Sequence, residues 1–156
     1  MWSDEPGFTE AAKATGITGI CGSGIIEVVA EMFLAGIIDE DGLVDGSKTA
    51  TSTKVFEDKR TYSYLLWESE NGQKISVSQT DVRAIQMAKA ALYAGIKLLM
   101  DKKGIAAVDS ISFAGAFGTF IDPKYAMVLG LIPDCDLENV NAVGNAAGYG
   151  AKMALL

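Results

Sequence analysis

Three glycine-rich turns punctuate the chain, and each stands where the surrounding pattern changes from one element to the next. Gly19-Ile20-Cys21-Gly22-Ser23-Gly24 precedes an apolar helical run. Ala114-Gly115-Ala116-Phe117-Gly118 follows a short run of strand formers, and Gly144-Asn145-Ala146-Ala147-Gly148 opens the last segment. Glycine at such junctions allows positive φ and lets another group come within contact distance. A helix start adds unpaired N–H groups and a positive dipole end, which suit a phosphate. Together the turns point to a nucleotide site, although close strand-to-helix packing explains each one singly. None matches G-x-x-x-x-G-K-[ST], and GICGSG lacks the spacing of G-x-G-x-x-G. Neither a P-loop nor a Rossmann fingerprint is present.

The elements around these turns set the fold class. Ile25, Ile26, Val29, Met32 and Phe33 recur at helical spacing, with Ser23 expected as cap and Gly36 as a left-handed stop. Residues up to Thr18 show no clear period and read as a loose lead-in, and the same holds for Asp39 to Arg60, an acidic excursion. Tyr62–Glu68 and Lys74–Gln79 flank Asn71-Gly72, a strong hairpin signal. A long helix should follow, capped by Thr80, with Asp81 and Lys102-Lys103 matched to the dipole and Gly104 as its end. Its apolar stripe is Ile85, Ala88, Leu92, Ile96 and Leu99. Asp109–Ala114 reads as a buried strand, Asp122-Pro123 as a cap and first helical residue, and Val140–Val143 as another strand before a final helix. The order predicts an α/β domain with a mixed sheet flanked by helices. A lead-in covers 1–18 and the domain 19–156, with the excursion and hairpin at about 39–79.

Composition narrows the function. The 156 residues include 49% hydrophobic and 21% charged side chains, enough for a packed core. Twenty acids against thirteen bases give −7, and residues 1–60 alone hold eleven acids and five bases. A basic nucleic-acid surface is therefore not expected. Histidine is absent, which removes His-based triads, His metal ligands and the usual neutral-pH proton shuttle. Cys21 and Cys135 are too few for a four-thiolate cluster. No apolar run approaches the roughly 20 residues that span a bilayer, and the N-terminus lacks a signal-peptide pattern. The expectation is a cytoplasmic domain with no membrane partner.

Few side chains offer chemistry. Cys21, between glycines before a helix, could be a lowered-pKa thiol, though a small residue at a tight turn explains it better. Glu27 and Glu31 lie one turn apart and could hold Mg²⁺ through water, but the dipole accounts for Glu27 as well. Tyr62, Tyr64 and Trp67 read as core or edge cover, and Asp122 as a cap. No residue stands out as acid, base or nucleophile, and no metal ligand is assigned.

Four segments in order carry a resemblance: GICGSGIIEVVAEMFLAGIID, VSQTDVRAIQMAKAALYAGIKLL, FAGAFGTFIDPKYAMVLGLIPD and VGNAAGYGAKMALL. Together they resemble the C-terminal region of the reductive activators of corrinoid proteins. That region belongs to the acetate and sugar kinase, Hsp70 and actin (ASKHA) superfamily, with an RNase H-like core. The resemblance implies an ATP-dependent activator whose [2Fe–2S] domain returns an inactive Co(II) corrinoid protein to Co(I) for methyl transfer. It implies ATP with Mg²⁺ at the glycine turns, with Gly115, Ala116, Phe117 and Gly118 against the adenosine. Gly22, Ser23 and Gly24 would face the same cleft, and Asn145 would lie in the closing segment. The family's Asp-Ile-Gly-Thr-Asn-type phosphate loop is absent from this sequence, so the chain is expected to be one subdomain, with the [2Fe–2S] centre elsewhere in the parent. The partner implied is a corrinoid protein of a methyltransferase system, and a homodimer is open. Other readings are a docking module using Asp39–Asp58 and the hairpin, or another superfamily member such as a dehydratase activator or a sugar kinase.

Overall fold

The computed structural model describes residues 6–156, and the first five residues lie outside that range. A helix, α1 (Phe8–Thr15), forms within the segment expected to be a loose lead-in. The stronger helix, α2 (Gly22–Leu34), starts one residue before its expected cap. The capping residue is Cys21, whose Sγ accepts from Gly24 N, in place of Ser23. Gly36, just beyond the helix end, adopts positive φ as expected.

The acidic excursion is more ordered than its composition suggests. Ile38 bridges Val44, a 3-10 turn covers Gly46–Ala50, and Val55–Asp58 forms strand β1. Its acids serve local turns: Asp39 accepts from Leu43 N, Asp45 from Ser47 N, and Asp58 from the Ser63 hydroxyl. β1 pairs antiparallel with β2 (Thr61–Glu68), which pairs with β3 (Lys74–Ser78) through the expected Asn71-Gly72 turn. A register shift between Leu65 and Trp67 interrupts the second pairing.

α3 (Gln79–Lys103) continues directly from β3. Its cap is Ser78, two residues before the expected Thr80, because the Ser78 side chain and Asp81 form a reciprocal capping box. Gly104 ends it at φ 68, a left-handed setting that glycine reaches without a Cβ clash. Of the expected apolar stripe, Ile85 packs against the core, whereas Leu92 and Leu99 are exposed. Ile85 and Ile96 are half-buried, and the rest of the stripe is apolar without being buried.

The remaining elements are β4 (Ile111–Phe113), α4 (Pro123–Val128), β5 (Val140–Ala142) and α5 (Ala146–Ala154). Asp122 caps α4 through Lys124 N, with Pro123 at the first helical position, as the sequence predicts. β4 and β5 pair in parallel, Ile111 opposite Val140 and Phe113 opposite Ala142. The strands thus divide into a three-stranded antiparallel sheet and a two-stranded parallel one.

Each sheet has its own core, and α2 supplies both. Val28, Val29 and Met32 join Ile38, Val44, Val55, Val77 and Val82 beneath the antiparallel sheet. Ile26 joins Ala126, Leu131, Ile132 and Val140 beside the parallel pair, and Leu129 packs against both clusters. Burying one such aliphatic side chain contributes roughly 1.5–3 kcal/mol.

Candidate functional site

The parallel pairing of β4 and β5 brings two of the glycine turns side by side. Hydrogen bonding continues past the strand ends: Val143 N donates to Phe113 O at 2.8 Å, and Gly115 N to Gly144 O at 2.7 Å. Ala114–Gly118 and Val143–Asn145 therefore lie together at the carboxyl end of the sheet. In open α/β sheets, that end is where ligands bind.

The third turn joins them through a ring. A Cβ placed on Gly22 would stand 2.8 Å from Phe117 Cε2, so the phenyl ring lies directly over the first residue of α2. Gly22, Gly115, Phe117 and Asn145, separated along the sequence, thus belong to one region of the fold. Gly115 sits at φ 116, where an L side chain is strained, although space for a Cβ is open. Its carbonyl accepts from Thr119 Oγ1 at 3.3 Å. Gly118 is buried, and a Cβ there would stand 3.1 Å from Phe113 Cβ. Ala116 and Phe117 are exposed.

Two helix starts in this region carry their own caps. Cys21 Sγ accepts from Gly24 N at 3.3 Å and lies 3.4 Å from Ser23 Oγ. The Ser23 hydroxyl first, and Gly24 N–H second, hold the Cys21 thiol below its ordinary range. Asn145 Oδ1 accepts from Gly148 N at 3.0 Å and so caps α5. Ser23, Gly24 and Asn145, expected on a ligand, thus also make local contacts. The Cys21 cap was missed in the sequence because Ser, Thr, Asp and Asn are the preferred residues at that position. Its available signal was the three-residue spacing from Cys21 to Gly24.

Glu27 and Glu31 follow the first of these turns along α2 and have other neighbours. Tyr125 OH donates to Glu31 Oε1 at 2.5 Å, and this bond, with burial, pushes the phenol up to about 12. Burial, and then the charge of Asp122, holds the Glu27 carboxyl above its usual range. Among the described residues no three His, Cys, Asp or Glu side chains are grouped to hold a metal ion. Cys135 donates to Asp109 O at 3.6 Å, while Cys21 caps α2. Two thiols so engaged do not fit the four-thiolate set of an iron–sulfur cluster. No helix among the described residues is long and apolar enough to cross a membrane.

Parallel strands flanked by helices, with their carboxyl-end turns meeting a helix start, place the protein in the ASKHA class of α/β domains. The model of the family described as "C-terminal domain of RACo the ASKHA domain" matches residues 3–156, and the chain belongs to that family. It is similar to the corrinoid activation enzyme RamQ of Eubacterium limosum, at 38% identity over 148 residues, covering 88% of this chain and 25% of that one. A solved structure named "Reductive activator for corrinoid,iron-sulfur protein" matches with TM-score 0.77 and 34% identity, over 88% of this chain and 22% of that one. The chain thus spans about a quarter of the length of these relatives.

Proposed function

We propose that this chain is the nucleotide-binding part of an ATP-dependent reductive activator, which returns an inactive Co(II) corrinoid protein to Co(I). The observation that carries the reading is the meeting of the three glycine turns at the carboxyl end of β4 and β5. Such a place offers main-chain donors to phosphates with little steric obstruction. Gly115 leaves open space beside its backbone, and Phe117 presents an exposed ring suited to a base. The names of the two relatives support corrinoid activation as the task.

In this reading the chain's residues bind and orient ATP–Mg²⁺, and the electron comes from a [2Fe–2S] centre held elsewhere in the activator. Neither Cys21 nor Cys135 takes part in holding that cluster. Docking of the corrinoid protein through Asp39–Asp58 is the weaker reading, since Asp39, Asp45 and Asp58 already accept local hydrogen bonds.

The test is calorimetric titration of ATP–Mg²⁺ into this chain, its Phe117→Ala variant and full-length RamQ. Tight binding by RamQ, weaker binding here and a further loss in Phe117→Ala are expected. Absence of binding to all three would overturn the nucleotide reading.

A further inference from the structure

The start of α2 is less open to a phosphate than its glycines suggest. Gly24 N already donates to Cys21 Sγ, and the Phe117 ring stands over Gly22. What this turn presents to the site is a bare Cα with an aromatic side chain against it.

The backbone around Phe117 is fixed on both sides. Gly115 N donates to Gly144 O, Thr119 Oγ1 donates to Gly115 O, and Gly118 is buried against Phe113. The side chain of Phe117 therefore keeps only rotation about its own bonds. A Cβ on Gly22 would stand 2.8 Å from Cε2, 3.5 Å from Cζ and 3.6 Å from Cδ2, so one side of the ring rests against α2. The remainder is open, since Phe117 is 54% exposed. Ordering an exposed ring on binding costs free energy, and a stop that limits its rotation beforehand lowers that cost.

We propose that Gly22 is a positioning residue: its bare Cα seats the Phe117 ring in the orientation that stacks on a nucleotide base, and Gly22 itself holds no phosphate. The inference rests on the nucleotide reading above and divides the tasks within it. The α2 turn and Phe117 serve the base, while the turns after β4 and β5 serve the phosphates.

The test is calorimetric titration of ATP–Mg²⁺ and of tripolyphosphate–Mg²⁺ into this chain, Gly22→Ala, Phe117→Leu and the double variant. Gly22→Ala should weaken ATP at least about fivefold, the low end of what one base stack supplies, and leave tripolyphosphate within about twofold. Phe117→Leu keeps bulk over Gly22 without a π face and should lose ATP affinity in the same way. In that background Gly22→Ala should add nothing, because the ring it positions is gone. Circular dichroism checks that each variant keeps its fold. Without any substitution, nuclear Overhauser contacts between Gly22 Hα and the Phe117 ring protons should persist in the ATP complex. Their loss on adding ATP would overturn the proposal, as would unchanged ATP affinity in folded Gly22→Ala. An equal loss of tripolyphosphate would make Gly22 a phosphate seat and also overturn it. ATP affinity unmoved by Phe117→Leu would reject the stacking alone and leave phosphate binding at the other turns standing. Failure of both ligands to bind the unsubstituted chain at millimolar concentration would remove the nucleotide reading here, and this inference with it.

Discussion

Gln79 holds Val44 from the start of α3: its Oε1 accepts from Val44 N at 2.9 Å, while its Nε2 donates to Gly42 O at 2.6 Å. One buried amide thus satisfies two backbone groups of the acidic excursion and fixes that loop over the core. Gln79→Leu would leave both groups without their partner. A loss of roughly 1–3 kcal/mol is expected. Urea unfolding should show a lower midpoint with unchanged slope; an unchanged midpoint would mean that the loop is held by other contacts.

The Cys21 cap predicts a reactive and titratable thiol. Because the folded pKa is depressed, the thiolate contribution to stability is present above the unfolded value of 9.0 and is lost as pH falls through the folded pKa. In a Cys135→Ala background, alkylation of Cys21 should reach half its maximal rate below pH 9.0, and Ser23→Ala should move that point upward. Cys21→Ala should cost about 1 kcal/mol of helix stability, and Cys21→Ser much less. A thiol profile unmoved by Ser23→Ala would contradict the assigned contact.

Tyr125 predicts a late alkaline transition. Its folded pKa of about 12 lies above the ordinary 10.0, so the stabilisation is present below 10.0 and is lost as pH rises through about 12. Absorbance of tyrosinate should show one phenol titrating after the others. Glu31→Gln removes the charged acceptor and should bring that phenol down; no change would detach Tyr125 from Glu31.

The contact between Gly22 and Phe117 can be measured as a coupling. Gly22→Ala should push the Phe117 ring aside, and because that ring is exposed the cost should stay near roughly 0.5–1 kcal/mol. Phe117→Ala removes the ring, and in that background Gly22→Ala should be tolerated. The cycle should return a coupling of roughly 0.5–1 kcal/mol. Additive effects would separate α2 from the strand-end turns.

Local chemistry was the legible part of this sequence. Asn71-Gly72, Gly104 and Asp122-Pro123 each specify a turn or a helix end through residues only a few positions apart, and all three form as read. The cap of α3 was displaced because β3 runs straight into the helix, leaving no loop to mark Ser78. β1 was missed for a different reason: Val55–Asp58 has little alternation of its own and becomes a strand by pairing with Thr61–Tyr64. At the site, the turns themselves were visible as glycine clusters. That the Phe117 ring lies on Gly22, and that Gly115 bonds Gly144, are long-range facts without a local signature. The apolar stripe on α3 gave the helical period correctly, but period alone does not say whether Leu92 and Leu99 have anything to pack against.

Because α2 gives Val28, Val29 and Met32 to one cluster and Ile26 to the other, its rotation about its own axis cannot suit one sheet and fail the other. A turn of the helix that loosened Val29 would also withdraw Ile26 from Val140. The two sheets share no ladder, yet this common helix ties their melting together, so heating should disassemble them in a single cooperative step rather than one after the other.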